Sequence, residues 1–222
     1  MHYAVIGDII NSRELYDREE TQLKLKNILK SVNKRYRIEI AAKFVITIGD
    51  EFQGLLEAPN NLFDIIDYIK MNFYPDELRF GIGIGEISTQ INRKMAIGAD
   101  GPAYYSARHA IEAVKLNEKK KERSETDIII YQADNESLAE YNIINSSLSL
   151  CRYIENRWTV KQREVIRKLM NTELSQKELA NELGLAQSSI QRRIDASGYY
   201  SYVEAKRNIK EFIIKLWEER NE

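Results

Sequence analysis

One cysteine among 222 residues leaves no partner for an internal disulfide, and a lone thiol, Cys151, cannot build a thiolate metal site. Three prolines are too few for an extended linker. An excess of one charge is lacking as well: 33 Lys and Arg face 34 Asp and Glu, a net charge of -1. A chain so balanced has no overall field pulling it toward nucleic acid or an anionic membrane, so such contacts must come from a local patch. No apolar run approaches the roughly 20 residues that cross a bilayer. The first residues show no basic stretch followed by an apolar one. A cytoplasmic protein without a membrane partner is therefore expected. What is present is ordinary for a globular chain: 43% hydrophobic and 30% charged residues.

Periodicity divides the chain into segments. Tyr3 to Ile10 reads as a buried strand, and Arg18 to Arg37 as a helix whose apolar positions are Leu23, Leu25, Ile28, Leu29 and Val32. Two strands joined by an acidic turn follow around Asp50. Pro59-Asn60-Asn61 introduces a second helix with a stripe of Leu62, Ile65, Ile66 and Ile69. Leu78 to Ser88 alternates Phe80, Ile82 and Ile84 with Gly81, Gly83 and Gly85, a strand whose glycine face admits either another backbone or a ligand. A third helix runs from Pro102 to about Lys120, and Asp127 to Gln132 is a fifth strand. The order β-α-β-β-α-β-α-β predicts a mixed α/β sandwich over residues 1–134, antiparallel at its central hairpin. Residues 135–157 read as a connecting helix and residues 158–222 as an all-helical unit.

The chemistry concentrates where strands end in carboxylates. Gly7-Asp8 closes the first strand, and Thr47-Ile48-Gly49-Asp50-Glu51-Phe52 makes the hairpin turn. If those strands are neighbours, Asp8 and Asp50 converge on a divalent cation such as Mg²⁺, which takes one or two carboxylates plus water and substrate phosphate. The Ile9 carbonyl adds a ligand, and the amides of Asn11, Ser12 and Arg13 are placed to cradle phosphate. On a regular strand Glu51 points away from Asp50. Asp in a turn also commonly caps its own backbone, so a purely structural role stays open. Arg108 on the third helix suits bidentate phosphate contact, with Arg13 and Arg93 expected nearby. Gly98 and Gly101 fit a loop wrapping a ligand, or only a turn before Pro102 at a first helical position. Of Tyr104 and Tyr105, helical spacing puts one in the core.

These strings resemble the palm domain shared by GGDEF diguanylate cyclases and class III nucleotide cyclases. Ile48 to Phe52 is similar to the signature turn, Arg79 to Ile87 to the strand before the nucleotide-handling loop, and Ala103 to Arg108 to the helix whose basic residue meets phosphate. The resemblance implies a ferredoxin-like palm with Asp8, Asp50 and Glu51 at metal and Arg108 at phosphate. It departs where Ile48 replaces the first glycine of the turn. The Asn and Arg that class III cyclases carry four residues apart fall on Tyr104 and Arg108, or on Tyr105 and His109. Over nearly its whole length the chain resembles the SatD family of bacterial proteins, through GDIINSR, AAKFVITIGDEFQGLL, RFGIGIGEI and AIGADGPAYYSAR together with the terminal helices. That resemblance implies architecture rather than a reaction.

Ser175 to Ile194 carries a helix-turn-helix pattern. Ser175 and Glu178 make a capping box. Leu179, Ala180 and Leu183 face inward, Gly184 turns the chain, and Ile190 and Ile194 anchor the second helix. Gln187, Ser188, Ser189, Gln191, Arg192 and Arg193 are then positioned to meet DNA. The last helix carries an apolar stripe, Ile209, Phe212, Ile213, Leu216 and Trp217, that either closes this unit or pairs with a second chain. The expectation is a DNA-binding regulator, in keeping with a homodimer, whose palm binds a nucleotide or other phosphate ligand with Mg²⁺. A metal-dependent nucleotidyl cyclase releasing pyrophosphate, and a degenerate palm used for dimerisation, remain the alternatives.

Overall fold

Apolar alternation sets the strands, and the computed structural model describes residues 1–12, 17–47, 49–120, 122–133 and 138–221. Five strands, β1 (His2–Ile9), β2 (Ile40–Ile46), β3 (Glu51–Leu56), β4 (Leu78–Gly85) and β5 (Ile128–Gln132), form one sheet in the order β2-β3-β1-β4-β5. The first four are antiparallel to their neighbours, and β5 is parallel to β4. A parallel neighbour needs a crossover, supplied by α3 (Pro102–Glu118). The architecture is the mixed α/β sandwich that the element order implied, a ferredoxin-like palm with one added strand, as the resemblance implied.

Side chains alternate across this sheet, so each face has its own core. Tyr3, Val5, Phe52, Leu56, Phe80 and Ile82 lie against α1 (Arg18–Arg35) and α2 (Leu62–Phe73). Asp17 starts α1 by accepting the Glu20 N–H, 2.8 Å. Leu25, Ile28, Leu29 and Val32 form its buried side, whereas Leu23 is 56% exposed. Leu23 sits near 160° from that stripe at 3.6 residues per turn, which is why it drops out of the expected set. Across the sheet, Ala4, Ile6 and Leu55 meet Ala103, Ala107 and Ile111 of α3. There the glycine face admits backbone, not ligand. A β-carbon on Gly83 would lie 2.0 Å from the Ala103 carbonyl oxygen, and one on Gly81 2.3 Å from that of Ala107.

An asparagine covers each edge of the sheet. Asn33 of α1 donates to the Phe44 carbonyl and accepts its N–H, both at 2.8 Å. Asn145 of α4 (Leu138–Asn156) does the same for Ile130, at 2.9 and 2.8 Å. Each amide stands in for a neighbouring strand and blunts an edge that would otherwise invite pairing with another chain.

Four helices follow: α5 (Val160–Asn171), α6 (Gln176–Glu182), α7 (Gln187–Asp195) and α8 (Tyr199–Asn221). Val165, Leu179, Ala180, Ile190 and Ile194 build the core that joins α5, α6 and α7. The last helix behaves differently. Ile209 and Ile213 enter the sheet-side core with Ile144 and Leu148 of α4. Lys206 bonds Asp67 at 2.9 Å and Lys210 bonds Asp64 at 2.6 Å on α2. Most of the apolar stripe of α8 thus packs on the palm, through Ile209 and Ile213 with Leu216 and Trp217 partly buried, while Phe212 stays 37% exposed. No helix among the described residues is long and apolar enough to cross a membrane.

Candidate functional site

Register brings the expected carboxylates together. Asp8 of β1 stands opposite Glu51 of β3 on one side and Arg79 of β4 on the other, one row across three strands. All three occupy the α3 face. Asp50 closes the same end: its carbonyl accepts the Ile9 N–H at 3.3 Å, and its carboxylate accepts the Ser12 hydroxyl. The side chain of Ser12 is thus committed to Asp50, which leaves the expectation for its backbone amide untouched. Asn11 is exposed, with φ 54. Arg13 and Ile48 lie outside the described residues.

The chain supplies its own cations to these acids. Arg79 Nε lies 2.8 Å from Asp8, and its Nη1 lies 2.5 Å from Glu118. Lys115 Nζ stands 3.8 Å from Asp8. Arg108 makes a two-pronged contact with Glu51, 2.5 and 2.9 Å. Burial raises the Asp8 pKa, Lys115 and Arg79 pull it back, and Asp50 and Glu51 push it up again; the net direction is upward. The hydrogen bond to Glu51 raises the pKa of Arg108. Arg108 was expected to contact phosphate, and Glu51 to contact metal; here each holds the other.

Oxygen donors of this kind suit a hard cation. Among the described residues, however, no three Asp, Glu, His or Cys side chains are grouped to share one ion. Asp8 and Asp50 with the Ile9 carbonyl are the residues that would hold a Mg²⁺, and the cation would have to take the place of Arg79 and Lys115 at Asp8.

Other expected residues fall elsewhere. Gly98 is exposed with φ +88 and nothing within 4 Å of its β-carbon position, so it serves a turn. Arg93 bonds Glu57 at 2.9 Å, six residues along from Glu51 and about 20 Å away at strand rise. Tyr104 is the core tyrosine at 7% exposed. Tyr105, 62% exposed, donates to Asp100 at 2.9 Å. His109 stacks on Tyr131, ring centres 4.1 Å apart. Arg79 and Lys115 were missed in the sequence. Arg79 leads the glycine strand, and its pairing with Asp8 is visible only once the strands are aligned. Lys115 follows Arg108 by seven residues, two turns along the same helix side.

At the other end of the molecule, Ser175 and Glu178 form the expected capping box, and Thr159 with Gln162 forms another at the start of α5. Gly184, φ +63, turns α6 into α7, and the Leu185 N–H closes the turn on the Ala180 carbonyl, 2.9 Å. Gln187, Ser188 and Arg192 are exposed on α7, and Ser189, Gln191 and Arg193 are half-buried. Gln191 is held by Asp195 at 2.7 Å.

A five-stranded palm with an acidic row at one end, followed by a helical region, defines the class. The SatD family model matches residues 2–213, and the chain belongs to the SatD family. Half of the chain is similar to the catalytic core of a rhodopsin-guanylyl cyclase with converted specificity, solved with ATPαS. Identity is 18%, the match covers 50% of this chain and 71% of that one, and the TM-score is 0.39. The guanylate cyclase domain of RhGC from Catenaria anguillulae, solved with GTP, is similar over the same shares at 19% identity and a TM-score of 0.33. No curated protein matches the sequence.

Proposed function

We propose that this protein is a DNA-binding regulator whose palm binds a nucleotide or another phosphate ligand. The observation that carries the reading is the gathering of Asp8, Asp50 and Glu51 at one sheet end, with Arg108 in two-pronged contact there. Asp8 and Asp50 would hold Mg²⁺, which neutralises phosphate charge. With a cation at Asp8 and Asp50, Arg108 would be free to exchange Glu51 for a phosphate oxygen, since a guanidinium matches both partners. The outward side chains Gln187, Ser188 and Arg192 would meet the DNA, with Ser189, Gln191 and Arg193 at its margin.

Thermal denaturation with MgATP, MgGTP and their diphosphates tests the palm, and mobility shift on genomic fragments tests the reader. A nucleotide-dependent rise in Tm should vanish in Asp50→Ala, and DNA retention should vanish in Gln187→Ala/Arg192→Ala. No shift with any nucleotide rejects the first half, and retention unchanged in the double variant rejects the second. Pyrophosphate release from the same mixtures would instead favour a nucleotidyl cyclase. A homodimer remains part of the proposal. Of the α8 stripe only Phe212 is left outward for it.

A further inference from the structure

The outer side of a surface helix ordinarily carries charge, and α4 does not follow that rule. From Tyr141 to Cys151 it has no charged residue, in a chain that is 30% charged. Asn142, Ile143, Ser146 and Leu150 are nevertheless exposed. Ile143 is 64% and Leu150 66% exposed, and Tyr153 extends the stripe at 48%. With Ser146 and Ser147 they share one arc of about 120° at 3.6 residues per turn. The opposite side of the helix is already in use: Ile144 and Leu148 enter the sheet-side core, and Asn145 covers the β5 edge.

The hydroxyls on this face do not depend on water. Ser146 Oγ donates to the Asn142 carbonyl at 2.8 Å, and Ser147 Oγ to the Ile143 carbonyl at 2.9 Å. Covering the face therefore leaves neither donor unmet, and the small serines let another helix come close. The spacing is also symmetric, because Ile143 and Leu150 lie equally far on either side of the Ser146–Ser147 pair. A two-fold axis at that pair sets Ile143 of one copy against Leu150 of another, twice over, with Tyr153 near the exposed Ala139. Charge selects the direction. Glu140 sits in the first turn, and Arg157 follows the last turn with its side chain 52% exposed despite Glu125 at 3.4 Å. An antiparallel pair brings the acidic end of each helix to the basic end of the other, whereas a parallel pair sets like on like.

We propose that this face of α4 pairs with the same face of a second copy of the chain, antiparallel, about a two-fold axis between Ser146 and Ser147. The inference rests on the homodimer of the reading above and gives that homodimer a surface. Phe212 of α8 is a single side chain, whereas α4 offers Ile143, Leu150 and Tyr153 in one line. The geometry also suits the DNA reading. Each trihelical unit begins where its α4 ends, and at 1.5 Å per residue the two ends, taken at Arg157, lie about 32 Å apart. Half-sites one turn apart on DNA are separated by roughly 34 Å.

Sedimentation equilibrium of the full chain over a concentration series tests the pairing, with far-UV circular dichroism as the control for folding. The parent should associate to a dimer. Leu150→Lys changes an exposed side chain, so its spectrum should match the parent while its dimer affinity falls about tenfold or more. Adding Ile143→Glu to Leu150→Lys should restore the dimer, because antiparallel pairing sets each introduced acid against the other copy's introduced base. Ser146→Cys should cross-link the pair on mild oxidation, whereas the parent, with only the buried Cys151, should not. Phe212→Lys should remain dimeric. A parent that is monomeric at every concentration overturns the homodimer and this surface together. A dimer that persists in Leu150→Lys, or that is lost in Phe212→Lys alone, overturns the α4 surface and leaves the homodimer standing. Loss in Leu150→Lys without recovery in the double variant overturns the antiparallel arrangement.

Discussion

Replacing Gly83 with alanine tests the central packing claim, that the glycine stripe of β4 exists to seat α3. The new β-carbon would meet the Ala103 carbonyl oxygen at 2.0 Å and the Ala107 nitrogen at 2.1 Å. Both are backbone atoms of a helix, so no side chain is free to rotate out of the way. Restoring ordinary contact requires α3 to withdraw by roughly 1 Å or more, which forfeits dispersion along the whole interface. Overpacking of this kind costs about 1–3 kcal/mol, offset by about 0.5–1 kcal/mol from the alanine's lower unfolded-state entropy. Because both colliding atoms are backbone, the upper end applies, about 3 kcal/mol less the offset, and a net loss of about 2 kcal/mol is expected, read as a lower urea midpoint at unchanged slope. Gly98→Ala is the control. It meets nothing within 4 Å but must adopt φ +88, so its loss of about 1 kcal/mol comes from backbone strain alone. A Gly83→Ala variant within about 0.5 kcal/mol of the parent would refute the reasoning. If stability held while nucleotide binding disappeared, the stripe would be a ligand cradle after all.

Two further outcomes follow from charge. Burial pushes the Glu155 carboxyl up, but Lys70, Arg152 and Arg163 outweigh it and hold the pKa at about 2, from 4.5. A depressed acid contributes stability above its unfolded pKa and loses it as pH falls through the folded one. Roughly 3 kcal/mol should therefore drain away between about pH 5 and pH 2. Asp67, raised by burial despite Lys206, acts in the opposite sense: its contribution is full at low pH and fades as pH rises through its raised pKa. Urea midpoints at several pH values should show a flatter acid limb for Glu155→Gln than for the parent; identical limbs would remove Glu155 from the account. Arg108→Ala should barely change stability, under about 1 kcal/mol because the pair is half-exposed. It should nevertheless weaken MgATP or MgGTP binding, measured by calorimetry; unchanged affinity would leave Arg108 as a partner of Glu51 only.

Local chemistry was legible in the sequence, and alignment between distant segments was not. The helix-turn-helix could be read because its signals are short-range: the Ser175–Glu178 box, Gly184, and the inward Ile190 and Ile194 all lie within one stretch. The meeting of Asp8 and Asp50 was visible because each ends an apolar strand. Arg79 was invisible for the opposite reason, since its place beside Asp8 depends on a register between residues 71 positions apart. The glycine face left two readings open, and Ala103 and Ala107, four apart on α3, decide between them only once the crossover is placed. The fate of α8 was undetermined because an apolar stripe shows that something is covered without saying what covers it. Asp64 and Asp67 on α2, which bond Lys210 and Lys206, supply that answer.

The distribution of side chains around the acidic row bears on what the palm does. Cyclisation needs groups that hold the triphosphate and others that orient the attacking hydroxyl and stabilise developing charge. Arg108 is available for the first task, as are Arg79 and Lys115 when a cation takes Asp8. For the second, the helix positions named by the cyclase resemblance are already engaged. Tyr104 is buried in the alanine-rich core, Tyr105 is bonded to Asp100, and His109 lies on Tyr131. Arg108 is itself held by Glu51, so either task would require it to leave that partner. Asp8, Asp50 and Glu51 each carry a cation or hydrogen-bond donor of the chain's own. Ligand entry must therefore exchange partners rather than fill a gap. Exchange of ion pairs at a strand end shared with α3 would shift the balance of interactions along that helix, since Arg108 and Lys115 both belong to it.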